Sequence, residues 1–256
     1  MKRFVNSVRN VTDPASFWRQ YYRRKQPGHE RDELRVPLRG GLTAIVPAAL
    51  MGTFDEVFLR EVYGAGLRAL RGPAPTVVDI GANAGLFSLR VLARHPHARV
   101  LALEPLPRHL AMLERQIASN PGLGITVDPR AVFGEKRTLE IRFDSRREFT
   151  TDASVFPLEG ADASVTVEAT TLADLYDRYA VARCHLLKMD CEGAEFDILY
   201  RCPDEVFAVT DNIVFEVHER LAGHGSTEDL VGFLRGKGYR VTCRKNGNNG
   251  IVTCRR

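Results

Sequence analysis

Val77-Val78-Asp79-Ile80-Gly81-Ala82-Asn83-Ala84-Gly85 reads as a β-branched strand that ends on an acid, turns on glycine and opens a helix near Leu86. Such a turn is a nucleotide cradle: glycine lets backbone approach a ligand closely, and the helix N-terminus offers unpaired N–H groups. Its glycines are spaced G-x-x-x-G, not the G-x-G-x-x-G that presses backbone against a pyrophosphate. An acid at the strand end suits the ammonium of a methionine moiety better than a phosphate. Asp79, Gly81, Asn83 and Gly85 therefore point to S-adenosylmethionine (SAM) rather than NAD. The same letters also spell an ordinary strand–turn–helix with no ligand.

A second acid supports the cofactor reading. Arg99-Val100-Leu101-Ala102-Leu103-Glu104 is a short buried strand with Glu104 at its end, 23 residues after Gly81. An acid about 20 residues past the turn can accept both ribose hydroxyls. Farther on, His185–Asp190 is an apolar strand that delivers Asp190 to its carboxyl end, and Gly193 permits a sharp turn into a helix. Ligands of doubly wound sheets bind outside those carboxyl ends, so Asp190 is expected in the same crevice as Asp79 and Glu104. Three carboxylates there call for a cation, and SAM carries two. N-capping of the next helix also accounts for Asp190 and Glu192. Lys188 either pairs with a neighbouring acid or reaches solvent. In Phe215-Glu216-Val217-His218, alternation puts Glu216 and His218 on one side, with His218 at the sheet's mouth as a candidate proton acceptor.

The remaining chain fits a mainly parallel, doubly wound α/β sheet of Rossmann-like type. Leu110, Leu113 and Ile117 mark a helix, Ile125–Val127 a third strand, Ala194–Tyr200 a helix and Asn212–Val217 a fifth strand. Ser226 caps a helix to Lys237. The alternating runs Thr138–Phe143 and Ser164–Ala169 suggest a hairpin beside the site. Tyr239–Arg244 and Gly250–Arg255 flank Asn246-Gly247-Asn248-Asn249, a hairpin turn that would add an antiparallel strand at the C-terminus. Residues 1–72 form an N-terminal helical extension to the domain at 73–256. Phe17, Trp18, Tyr21 and Tyr22 share one side of a basic helix running to Lys25 and ended by Pro27-Gly28. They either dock on the core or make a platform for sugar or an anionic lipid surface. A second helix is expected from Thr53 to Ala69.

The chain has 256 residues, 44% hydrophobic and 27% charged, with net charge +4. This suits a globular α/β domain and excludes global disorder. Residues 1–40 hold ten Lys/Arg against four Asp/Glu, so the basic excess belongs to the extension. No apolar run reaches the roughly 18 residues of a membrane span. Five scattered cysteines without C-x-x-C spacing indicate neither zinc nor a disulfide framework, and a reducing cytoplasm is expected.

Asp79–Gly85, Glu104-Pro105-Leu106-Pro107, Thr171-Leu172-Ala173-Asp174-Leu175, Leu187–Glu195 and Phe215–His218 together resemble the ordered signature of the FkbM-family methyltransferases, over about residues 76–220. The resemblance implies a class I SAM-dependent methyltransferase fold and O-methylation of hydroxyls on sugars and natural products. It makes Asp79, Gly81 and Gly85 the cofactor loop, Glu104 the ribose contact and Asp190 the acid near the reacting groups. Thr150-Thr151-Asp152-Ala153-Ser154 stands at the family's Gly-Thr-Ser-Ser-like loop and matches it only in polarity.

The acceptor expected is a small molecule or glycan, with His218 as base, Asp190 as its partner or acceptor clamp, and Glu216 beside them. A divalent metal on Asp190, Glu216 and His218 is possible but not indicated by spacing. Nucleic acid is not expected, because the basic arm carries no recognised motif. A nicotinamide oxidoreductase and a non-catalytic SAM- or nucleic-acid-binding protein are the competing readings. Oligomeric state is not legible.

Overall fold

The computed structural model describes every residue except 25, 27, 29–32, 151, 152, 158, 219–224, 247 and 248, and gives backbone only at 245, 246 and 249. The end of the aromatic helix at Lys25 and Pro27, the centre of the polar loop at Thr151-Asp152, and the hairpin turn at Gly247-Asn248 lie outside the described residues.

The chain opens with helices α1 (Lys2–Asn10) and α2 (Pro14–Arg23), then strands β1 (Leu34–Pro37) and β2 (Thr43–Val46). After a 3₁₀ turn come α3 (Met51–Phe54), a π-helical turn (Asp55–Arg60) and α4 (Gly64–Ala69). The body runs β3 (Thr76–Ile80), α5 (Leu86–Arg94), β4 (Arg99–Leu103), α6 (Pro107–Ala118), β5 (Ile125–Asp128), β6 (Ala131–Val132), β7 (Arg137–Phe143) and β8 (Ala163–Thr170). It continues with α7 (Leu172–Arg178), β9 (Leu186–Met189), α8 (Glu195–Tyr200), α9 (Asp204–Ala208), β10 (Asn212–Val217), α10 (Thr227–Gly236), β11 (Arg240–Asn246) and β12 (Asn249–Arg255).

Seven strands form one sheet in the order β11-β12-β10-β9-β3-β4-β5. The five from β10 to β5 are parallel, and β12 enters antiparallel between β10 and β11. The expected terminal hairpin is present. From β3 the chain steps out through β4 to β5, then returns to β3's other edge with β9 and β10. The strand order therefore reverses between β3 and β9, and a crevice opens at their carboxyl ends. As expected, β7 and β8 pair antiparallel; β6 joins them in a separate three-stranded sheet.

Alternation divides the core into two layers. Val78, Ile80, Leu187 and Met189 face one cluster with Leu175, Phe196 and Leu234. Val77, Leu186 and Val214 face the other, where Phe87 and Leu89 of α5 meet Val11, Phe17, Phe54 and Phe58 of the extension. Residues 1–72 thus cover one side of the sheet. Of the aromatic stripe, Phe17 is buried and Trp18 and Tyr21 pack on the cluster, while Tyr22 is exposed.

The extension departs from expectation twice. It carries the β1–β2 hairpin, signalled in the sequence by the apolar–polar alternation of Leu34-Arg35-Val36 and by Gly40-Gly41. The helix expected over Thr53–Ala69 is broken. Glu61 sits in the left-handed region at φ 50°, and its carboxylate binds Arg90 (2.7 Å) and Asn10 (3.3 Å). Asn6 and Asn10 donate to the carbonyls of Leu59 and Phe58, main-chain groups at the end of the π-helical turn. Buried polar partners from α1 and α5 thus outweigh helical propensity here.

Candidate active site

At the crevice lies a cavity of about 310 Å³. Gly81, Asn83, Glu104, Asp190, Glu216 and His218 all line it. Asp79 and Gly85 lie behind its wall.

The cradle end is made largely of main chain. Gly81 has φ 67°, and a Cβ there would lie 1.9 Å from the carbonyl oxygen of Asp190. Only glycine lets the ends of β3 and β9 close this far. Asn83, at φ 50°, donates its N–H to Glu104 Oε2 (2.7 Å), and its side chain accepts from Ala84 N–H. Glu104 Oε1 accepts from Leu106 N–H at 2.9 Å. Gly85 is the left-handed N-cap of α5, packed on Leu113. The carboxylate of Glu104 is thus fixed beside a glycine turn, with lone pairs left for further donors. This donor set fits the ribose and methionine ends of SAM.

Asp79 corrects the expectation of direct ligand contact. Strand register sets it beside Lys188 on the α5 face of the sheet. Its fully buried carboxylate accepts from Ser88 Oγ (2.7 Å) and pairs with Lys188 Nζ (3.1 Å). Lys188 does not reach solvent; it is 3% exposed and also donates to the Gly81 carbonyl at 2.8 Å. Burial disfavours its charge, but Asp79 and Asp190 outweigh burial and raise its pKa. Of the two expectations for Lys188, pairing with a neighbouring acid is the one the structure shows, and it places an internal cation at the crevice.

The mouth is built from side chains. Asp190 Oδ2 accepts from Tyr63 Oη at 2.8 Å. Glu195, fully buried, accepts from the N–H groups of Cys191 and Gly193 (both 3.0 Å) and lies 3.2 Å from His218 Nδ1. Glu192 Oε2 lies 3.4 Å from His218 Nε2. The turn amides before α8 are therefore held by Glu195, not by Asp190 or Glu192, for which capping was the alternative reading.

The geometry also corrects the role of His218. Burial disfavours its cation, but the hydrogen bond and charge of Glu195, with the charges of Glu192 and Asp190, push its pKa to about 10. Its place between two glutamates favours the imidazolium form. It is not a free base, and Asp190 is not its hydrogen-bond partner.

Sequence reading missed Tyr63 and Glu56, which line the cavity from the extension. Burial first, then the charges of Asp190 and Glu216, raise the pKa of Glu56 against the opposing charge of Arg60. Glu195 was legible only as a letter in the Asp190–Glu195 run, since its bonds to turn amides need the turn itself. Asp190, Glu192 and His218 each offer a donor atom, all within 4.8 Å of one another. Glu216 lies outside this group.

A parallel sheet that reverses at β3 and β9, a glycine cradle, an acid on the neighbouring strand and an antiparallel terminal hairpin fit the fold of class I SAM-dependent methyltransferases. The Methyltransferase FkbM domain matches residues 79–241, and the chain belongs to the FkbM family. It is 28% identical over 219 residues to the methyltransferase sdnD of Sordaria araneosa, covering 74% of this chain and 82% of that one. It is 24% identical over 245 residues to the 31-O-demethyl-FK506 methyltransferase FkbM of Streptomyces tacrolimicus, covering 84% and 91%. A match of 28% over 234 residues to the AMB antimetabolite synthetase AmbE of Pseudomonas aeruginosa takes in 75% of this chain but only 11% of that larger protein. Among solved structures, an rRNA methylase from Streptococcus thermophilus aligns with TM-score 0.47 and 6% identity over 77% of this chain and 94% of that one.

Proposed function

We propose that the protein transfers the methyl group of SAM to a hydroxyl oxygen of a sugar, glycan or natural product. One observation carries this reading: a single cavity joins the Gly81–Glu104 cradle to the acid-rich mouth at Asp190 and Glu216. The relative named for 31-O-demethyl-FK506, an oxygen acceptor by its name, supports the same chemistry.

Bound SAM supplies an electrophilic methyl, and the chain's task is positioning and proton removal. Glu104 would accept from the ribose hydroxyls, while the Gly81 turn would admit the methionine end. Asp190 Oδ2 is occupied by Tyr63, which leaves Oδ1 to accept the proton of the acceptor hydroxyl as the new bond forms. The imidazolium of His218 balances Glu192 and Glu195 and keeps the mouth from excess negative charge. Leu139 and Ile141 of β7 supply apolar wall against water. Thr53, Glu56, Val57 and Tyr63 bring the extension into this wall, so these residues, which follow the first 50 expected to set substrate choice, help choose the acceptor.

The spacing of Asp190, Glu192 and His218 favours a second reading, in which a divalent cation displaces the proton of His218, is held by these three donors and polarises the hydroxyl. Transfer from methyl-labelled SAM to a panel of sugar nucleotides, glycans, hydroxylated metabolites and RNA tests both. The first reading expects label in an ether product, with turnover indifferent to EDTA. Loss of turnover in EDTA and recovery with Mg²⁺ or Mn²⁺ would select the metal route. Label confined to nitrogen or RNA would overturn O-methylation of such acceptors.

A further inference from the structure

Helix α1 is amphipathic, yet its polar side faces the protein. Asn6, Ser7 and Asn10 are buried, and the two asparagines donate to the carbonyls of Leu59 (2.9 Å) and Phe58 (2.6 Å). Ser7 Oγ donates to the Phe4 carbonyl and accepts from Trp18 Nε1 at 2.9 Å, which ties α2 alongside. These buried bonds fix the helix's rotation.

The opposite side is apolar and exposed. Met1, Phe4, Val5 and Val8 follow i, i+3, i+4, i+7 spacing and are 105%, 60%, 41% and 41% exposed. Of the six exposed large hydrophobic residues among the described ones, four are these and a fifth is Tyr22, stacked on Trp18 at 5.8 Å. Lys2 and Arg9 flank the apolar stripe, and Arg39 Nε donates to the Val8 carbonyl at its end. Residues 1–24 carry six Lys/Arg and one Asp; Arg24 is buried and Arg3 pairs with Asp55, which leaves Lys2, Arg9, Arg19 and Arg23 exposed.

We propose that α1 and the Trp18–Tyr22 edge of α2 seat the protein on an anionic lipid bilayer. A helix lying in the interface buries an apolar stripe while its basic rim meets anionic headgroups, and Trp and Tyr favour headgroup depth. The exposed stripe is one convex helix, which suits a planar interface. A second copy of the chain fits poorly, because a two-fold contact would set like charges, Lys2, Arg9, Arg19 and Arg23, near their own copies. The same helix braces the π-helical turn that supplies Glu56 and Val57 to the cavity wall, so the lipid contact and the acceptor wall share one support.

Co-sedimentation of the full chain with vesicles tests this. It should bind phosphatidylcholine vesicles containing about 30% phosphatidylserine, bind pure phosphatidylcholine far less, and lose binding as salt rises from about 0.1 M to about 0.5 M. Phe4→Glu with Val8→Glu should lower vesicle binding about tenfold or more with no change in thermal midpoint, since both side chains are exposed. Lys2→Glu with Arg9→Glu is the second variant should the first fail to fold, and it should lose the anionic preference. Failure of the wild-type chain to bind phosphatidylserine vesicles would overturn the proposal. So would binding that both variants retain. Self-association in sedimentation velocity that Phe4→Glu abolishes would assign the face to a second copy.

Discussion

At the cradle end of the cavity, Gly81, Asn83 and Glu104 come from one βαβ unit and are held by main-chain contacts. At the mouth, Tyr63, Asp190, Glu192, Glu195, Glu216 and His218 come from the extension, the β9–α8 turn and β10, and are held mostly by side-chain charge. The first arrangement tolerates little change in shape but carries little charge. The second tolerates reshaping but depends on a balance of acids against Lys188 and His218. Cofactor binding and acceptor chemistry should therefore respond differently to substitution, although they share one cavity.

The largest effect is expected at Gly81. Alanine there places a Cβ against the Asp190 carbonyl in a backbone region that costs about 1–3 kcal/mol for an ordinary residue, before any clash. Gly81→Ala should lose measurable binding of S-adenosylhomocysteine in calorimetry and lower the thermal midpoint. Retained binding would mean that the cradle is not shape-limited. Glu104→Gln comes next. It keeps the volume but removes the charge that accepts from donors, an effect of about 1.5–3 kcal/mol, or a rise in Kd of roughly ten- to a hundredfold. Its kcat at saturating SAM should stay near wild type; a fall in kcat with unchanged Kd would move Glu104 to the acceptor end.

A smaller effect should appear in stability against pH. The folded pKa of His218, about 10, lies above its ordinary value, so its contribution is complete below the usual histidine range. It then declines as pH rises and is gone above about 10. The thermal midpoint of the wild type minus that of His218→Gln should shrink over that window. A constant difference would show that the imidazolium is not held by Glu195 and Glu192.

Legibility followed the same division. The cradle was readable because G-x-x-x-G, the acid after β4 and the apolar strands are local patterns, and main-chain geometry follows from them. Asp79 misled because the sequence shows an acid at a strand end but not which residue sits beside it in register. Pairing with Lys188 on β9 turned a ligand contact into a buried ion pair. His218 misled for a related reason. Its protonation is set by Glu195, 23 residues away in the chain, whose bonds to turn amides no spacing rule supplies. The break at Glu61 was hidden because Arg90 and Asn10, which hold it, lie on other helices.

The most direct test of the separation between cradle and mouth is calorimetry of S-adenosylhomocysteine binding to Asp190→Asn, with single-turnover transfer measured on the same protein. Asp190 is the residue proposed to take the acceptor's proton, and removal of such a group typically costs about 10²–10⁴-fold in rate. A loss of that size is expected, with Kd within about threefold of wild type. Full turnover in Asp190→Asn, or a loss explained entirely by weakened cofactor binding, would contradict it.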